Sequence, residues 1–410
     1  MKKVIYAIAA MGLLGLAACS DSPKATDSEF SKPIELSSRA KEASQCASKL
    51  DVKIFQIYCD SIKSTNANGN SIIAPLSLTT YLGMFSNLID DEDFNAAICD
   101  YFGTSDKATV NEVVSEYMNQ LSTLDSRTKV NFSNKIWYDQ KYNLSGSIVD
   151  VVKTYYDATL EGADFTNEDA VKSDIRDWVN TKSEGMISNW EVEHIDKFMA
   201  AQVMMFHGPW ATEFDPANTS ERVFHTPLGM ADVLVPTMQG KLAGRYILTE
   251  TYQAVRFDFG AGIYVADVVL PREGVNIDDV ISEPNFGMWT DEDMYVISLN
   301  VSMPKFTVYQ YCDGIQSLLE KIDPRFNIYN KHIALFEDDD VNNITSIMQH
   351  VAMEVNESGA KVVSVTHNGW ATAYNPSEFH INRPFVMMIR LRDTGAILAA
   401  ARIVNPLEAN

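Results

Sequence analysis

The feature that most restricts this chain is a change of period near its middle. Up to about residue 199 the apolar residues recur mostly at helical spacing, whereas beyond Met199 they alternate or run unbroken, as strands require. "AQVMMFHGPW", "RVFHTPL", "QAVRFDFGAGIYVADVVLP", "MYVISLNVSMPKFTVYQ" and "FVMMIRLRDTGAILAAARIVNP" are such runs, and Asp393-Thr394-Gly395 reads as a hairpin turn inside the last. A helix-rich half followed by a strand-rich half, without alternating β-α units, indicates an α+β fold with antiparallel or mixed sheets.

The first half has its own punctuation. From about Leu50 to Gly103 the pattern is helical, broken at "NANGNSIIAPLSL", where Asn68-Gly69 marks a turn and Pro75 opens the next helix near its first position. The acidic run Asp90 to Asp93 suits a helix N-terminus or a solvated turn. "KVNFSNKIWYD" alternates as a strand. "SGSIVDVVKTYYDATLEGADF" and "NEDAVKSDIRDWVNTKSEGMI" read as two helices, the second capped near Asn167.

The N-terminus carries a separate signal. "MKKVIYAIAAMGLLGLAACSDS" has two lysines, an apolar run too short to span a bilayer, and small residues before a cysteine. It resembles a bacterial lipoprotein signal, which implies removal of residues 1–18 and lipidation of Cys19. Residues 19–45 would be a flexible tether and 46–410 a single domain, exported and lipid-anchored to the cell envelope at the outer membrane. In an oxidising compartment Cys46, Cys59, Cys99 and Cys312 allow one or two disulfides, with no choice among the pairings. With 33 basic against 55 acidic residues, the net charge of −22 repels phosphate and argues against nucleic acid and anionic membrane surfaces as partners.

Catalytic signatures are missing. No G-x-S-x-G, H-E-x-x-H, G-x-x-x-x-G-K-[ST] or G-x-G-x-x-G occurs. His207 and His225 stand in strand-like runs and read as structural. Glu337 to Asp340 lacks the spaced ligands and central glycine of a calcium loop, and the scattered cysteines lack metal spacing. These readings point to an exported globular protein, not an enzyme, with no metal or cofactor.

The order of several segments then becomes informative. "NSIIAPLSLTTYLGM", "FHGPWATEFDPANTSERVFH", "VPTMQ", "MPKF" and "FHINRPFVMMI" follow one another as do the blocks N-I-F-x-S-P-x-S-I, F-x-G-x-W…F-x-P-x-x-T…F, V-P-M-M, L-P-K-F and D-R-P-F of the serpins, inhibitors of serine and cysteine proteases. Over nearly all of Leu50 to Pro406 the chain resembles that family. The resemblance implies a serpin fold, helices packed on three mostly antiparallel or mixed sheets, and an exposed reactive-centre loop at about 359–383.

In the family the loop's hinge reads E-x-G-[ST]-E followed by small residues. Here Glu357-Ser358-Gly359-Ala360-Lys361 leads into Val362-Val363-Ser364-Val365-Thr366. Ungapped transfer places the scissile bond at Ala373-Tyr374, with Thr372 and Trp370 in upstream subsites. After the target protease cuts and is acylated, the N-terminal side of such a loop enters the central sheet as a new strand. β-Branched residues suit that end state. If Ala360 faces the core on insertion, so do Val362, Ser364 and Thr366, while Lys361, Val363 and Val365 face outward.

The resemblance also assigns a shutter beneath the sheet, where a family Asn and His bond across strands. Alignment puts Gln202 and Gln349 there, two amides able to bond each other, with Ser77 nearby and Ala74 at a position often serine. Slippage by one residue would put His350 in place of Gln349. Trp210 falls at the sheet's opening, the breach.

The function implied is suicide-substrate inhibition by a monomer. Alanine before the scissile bond fits a shallow apolar pocket, so elastase-like serine proteases are the first target class and cysteine proteases the second. The valines resemble those of a non-inhibitory member and their bulk slows insertion, whereas small Ala360 favours it. The alternative is therefore a non-inhibitory serpin, a binding or structural protein whose loop is only cut.

Overall fold

The structure, a computed structural model, describes residues 35–63, 68–188, 190–192, 195, 197–227, 229–312, 314–329, 331–337, 347–359 and 378–408. The helices are α1 (Ser38–Ile62), α2 (Pro75–Phe85), α3 (Glu92–Phe102), α4 (Lys107–Leu121), α5 (Gly146–Tyr156), α6 (Glu168–Lys182), α7 (Ile277–Ile281) and α8 (Ile315–Ile322). The strands are β1 (Ser71–Ile73), β2 (Ile89–Asp90), β3 (Lys129–Asp139), β4 (Ala158–Ala163), β5 (Phe198–His207), β6 (Ser220–Phe224), β7 (Val233–Leu248), β8 (Tyr252–Phe259), β9 (Tyr264–Pro271), β10 (Tyr295–Pro304), β11 (Phe306–Cys312), β12 (His332–Ile333), β13 (Gln349–Val355), β14 (Glu378–His380), β15 (Phe385–Leu391) and β16 (Ile397–Ile403).

Helices gather in the first half and long strands in the second, the α+β division that the periods imply. The largest sheet runs β1-β16-β15-β9-β8-β7-β10-β14 with β6 against β7, and is antiparallel except where β14 joins β10. Every residue of β9 and β15 is buried, which accounts for their unbroken apolar runs. A three-stranded sheet β4-β3-β5, a two-stranded sheet β11-β13 and the short pair β12-β2 complete the described ladders.

Local rules explain most boundaries. Pro75 is at the first turn of α2, and Asp91 caps α3 by accepting from the Phe94 N–H at 2.9 Å. Asn167 stands at the α6 N-cap, but its side chain makes no capping bond.

Two expectations need correction. The ordered body begins before residue 46: α1 starts at Ser38, and its buried Ala40, Ala43 and Ala47 form a narrow face of small residues inside a stretch polar enough to read as tether. "ATLEGA" is not helix either. Asp157 turns left-handed at φ 48° and ends α5, after which Ala158–Ala163 pairs parallel with β3, so edge pairing overrides the helical propensity of Ala, Leu and Glu.

Candidate functional site

Two strands of the described structure face each other without sharing a ladder. β5 pairs on one side with β3, from Lys129↔His207 to Tyr138↔Phe198, and β13 pairs on one side with β11, from Phe306↔Val355 to Cys312↔Gln349. Between their free edges lies a cleft of about 380 Å³, with Ser77, Leu78 and Tyr81 of α2 and Met387 and Leu398 of the large sheet among its lining. Most β5 residues are consequently half-buried, in contrast with β9. A free strand edge carries unpaired N–H and C=O groups and is a template for another strand.

Both edges run the same way. β5 ends at His207, three residues before Trp210, and β13 ends at Val355, just before the residues that Trp210 holds. Chain turning back into the cleft after Gly359 would lie antiparallel to both neighbours, the arrangement that completes a ladder.

Trp210 organises that end. Its indole N–H donates to the Asn356 carbonyl at 3.0 Å and its backbone N–H to the Ser358 carbonyl at 3.3 Å. The Phe214 N–H donates to the Glu357 carbonyl at 3.1 Å. The Glu357 carboxylate accepts from Thr219 at 2.8 Å and pairs with Lys305 at 2.8 Å. Burial pushes that carboxyl up, but Lys305 and Thr219 outweigh it and hold it below the usual range. Gly359 has φ +63°, and a Cβ there would lie 2.4 Å from the Trp210 backbone nitrogen. The hinge start Glu357–Gly359 is thus fastened to Trp210, and only glycine fits its last residue.

Below the cleft the two glutamines are satisfied separately, contrary to the expected amide-to-amide bond. Gln202 Oε1 accepts from Ser77 at 3.2 Å and Thr80 at 2.9 Å, and Nε2 donates to Asn134 at 3.0 Å. Gln349 takes the backbone of Ala74, accepting from its N–H and donating to its carbonyl, both at 3.0 Å. With the strands apart, each amide finds partners on its own side of the cleft. Gln349 thus faces α2, whereas His350 points to the opposite face, where its ring packs on Trp190.

Of the residues expected to act, Glu357, Gly359, Trp210, Ser77, Gln202 and Gln349 line or close this one cleft. Ala360, Lys361, Val362, Ser364, Thr366, Trp370, Thr372, Ala373, Tyr374 and Cys19 lie outside the described residues. Glu378–His380, the end of the expected loop, is strand, in parallel register with Asn300–Ser302. Sequence reasoning missed Lys305, Thr219, Asn134 and Thr80. Lys305 stands inside the quoted "MPKF", but no local pattern shows that a lysine there faces a glutamate so far along the chain. Cys46, Cys59, Cys99 and Cys312 are all free thiols. No helix among the described residues is long and apolar enough to cross a membrane.

Among the described residues the sheet is thus split, and its two free edges meet at a fastened hinge, a frame that sets the class of protein. Comparison identifies it: the family model described as serpin (serine protease inhibitor) matches residues 54–406, and the chain belongs to that family. Human antithrombin-III is 24% identical over 94% of this chain and 87% of its own, and human serpin I2 is 22% identical over 72% and 75%. Among solved structures, native protease nexin-1 with heparin superposes with a TM-score of 0.76 at 19% identity, over 90% of this chain and all (100%) of the other. Human thyroxine-binding globulin complexed with thyroxine gives 0.75 at 18%, over 90% and 100%. The serpin fold is therefore established for this chain.

Proposed function

We propose that this serpin inhibits serine proteases by loop cleavage and insertion, with elastase-like enzymes as first targets and cysteine proteases as a second class. The carrying observation is the hinge, fastened to Trp210 at the end of a cleft with two free, same-direction strand edges. In this reading the protease serine attacks the Ala373 carbonyl, the Ala373-Tyr374 peptide bond breaks, and the new amine leaves as the N-terminus at Tyr374. The serine stays esterified to Ala373. Residues from Ala360 onward then enter the cleft, where a strand of this length spans roughly 45 Å at about 3.3 Å per residue. The tethered protease is carried along and distorted before water can hydrolyse the ester, so inhibition is a kinetic trap. The small inward residues Ala360 and Ser364 support entry.

Export and anchoring complete the proposal: residues 1–18 are removed, Cys19 is lipidated, and the monomer is held at the bacterial outer membrane. Cys19→Ala should release it from washed membranes, and a variant that still pellets would show another anchor.

The decisive experiment mixes the protein with an elastase and looks for a complex that survives boiling in detergent. A protein that only binds a ligand, as thyroxine-binding globulin binds thyroxine, would yield clipped chain and no complex. Mass mapping should find the cut after Ala373, and Ala373→Arg should redirect inhibition to trypsin-like enzymes.

A further inference from the structure

We infer that Trp190 and His350 form a strap across the front of the cleft, released by acid, which regulates entry of the loop; its functional meaning rests on the insertion reading above. The path of the chain carries this. Downstream of α6, Ile187 packs with Val179 of α6 and Val203 of β5, and farther on Val192 and Ile195 pack with Trp137 of β3 and Ile175 of α6. The second anchor is on the β3-β5 side, and Tyr309 of β11 and Ala352 of β13 also pack against the first. Between them Trp190 reaches the other side, its ring 4.5 Å from that of His350 on β13. A strand entering between β5 and β13 must pass beneath this contact.

His350 is built to keep the strap shut while uncharged. The Tyr311 ring stacks on it at 4.8 Å and 23°, and its Nδ1 is 2.6 Å from the Tyr309 hydroxyl. Nε2 is buried without a hydrogen-bond partner. A proton on Nε2 would place a cation there with no carboxylate among the described residues to receive it. The titratable groups facing the imidazole among the described residues are the phenols of Tyr309 and Tyr311, both from β11. Trp190 brings no charge from the strap; its neighbour Glu191 is 86% exposed and pairs with Arg176. From β5, Met199, Ala201, Val203 and Met205 bring none, and Glu354 on β13 is exposed and bonded by Asn356.

Burial accordingly pushes the imidazole down to about 4 from its ordinary 6.5. Lifting the strap exposes the ring and restores the ordinary value, so the open form binds the proton better. The closed form's advantage is complete above the ordinary value and is lost as pH falls toward about 4. Between pH 7 and 5.5 the open fraction should rise roughly tenfold.

Amide hydrogen exchange on the uncut, full-length protein tests this, following peptides from the 183–197 segment after correction for the chemical exchange rate. Wild type should show the roughly tenfold rise between pH 7 and 5.5. His350→Phe and His350→Gln should be flat with pH, and Trp190→Ala should exchange fast throughout. A flat wild-type profile, or the same slope in both His350 variants, overturns the proposal. Because no protease is present, the outcome is separate from the inhibition reading: failure to form a detergent-resistant complex beside an acid-released strap would remove inhibition and leave the strap standing.

Discussion

The large sheet and the split one are made of similar strands but are finished differently. In the large sheet β9 has a partner on each side, β8 and β15, and its one charged residue, Asp267, is fully enclosed by Arg256 at 2.7 and 2.8 Å and Arg390 at 3.2 Å. In the split sheet β5 and β13 each have one ladder among the described residues, with a cleft between them, and most of β5 is half-buried. Inside the first region β9 has no ladder left to form. The second holds pairing and apolar burial in reserve, and a fold that keeps such a reserve next to a fastened hinge can do work when the hinge's continuation arrives. On the insertion reading, function lies where the sheet is unfinished and stability where it is closed.

The largest effect should come from breaking the closed region. Asp267→Ala leaves the buried Arg390 guanidinium without its carboxylate and Arg256 with Asp291 alone, at a cost of about 3–5 kcal/mol. Urea unfolding should show a lowered midpoint for the whole molecule, and a loss under ~1 kcal/mol would mean that the network is not structural. Ala360→Arg should do the opposite, leaving the uncut protein's stability within about 0.5 kcal/mol while turning an inhibitor into a substrate. An inserted guanidinium without a partner costs several kcal/mol, and each ~1.4 kcal/mol on the insertion barrier slows it tenfold. Moles of serpin consumed per mole of protease inactivated should therefore rise at least about tenfold. If that ratio is unchanged, insertion is not the mechanism.

How much of this could be read from sequence follows the same division. The closed strands announce themselves through unbroken apolar runs such as Tyr264–Pro271 and Phe385–Leu391, and the hinge through Glu357 and Gly359 in their family spacing. The cleft is invisible in that text, since nothing local in "AQVMMFHGPW" or "MQHVAMEV" says that two strands forgo pairing. The glutamines show the limit well: their amide chemistry was legible, but which of several donors each would choose depended on how far apart the strands stand. β7 lay hidden because Pro236, Gly240 and Gly244 interrupt its pattern, although its residues pair with β6, β10 and β8 in turn.

At the junction of the two regions, Gly359→Ala tests whether the hinge start is fastened or merely nearby. An L-residue at φ +63° is strained, and its Cβ would meet the Trp210 nitrogen at 2.4 Å, so Trp210 or the turn must shift. A penalty of about 1–3 kcal/mol is expected, confined to the hinge. It should show as faster hydrogen exchange in residues 354–359 with little change in the large sheet. Equal acceleration of exchange throughout the molecule would show that hinge and closed sheet are one cooperative unit.

The smallest effect concerns the glutamines beneath the cleft. Gln349→Ala removes the acceptor of the Ala74 N–H and one of two donors to its carbonyl, which keeps the Leu78 N–H, and with water able to reach the cleft the cost should be on the order of 1 kcal/mol. Gln202→Ala should cost a similar amount by freeing Ser77, Thr80 and Asn134. Because their hydrogen bonds go to different residues, the two losses should add, with a coupling within about 0.5 kcal/mol. A coupling above ~1 kcal/mol in the double-mutant cycle would mean that the amides bond across the cleft in solution and the strands close on each other at rest. Repeating the cycle on loop-cleaved protein sharpens the contrast: with a strand between them the amides are kept apart, so additivity should hold there whatever the uncut protein shows.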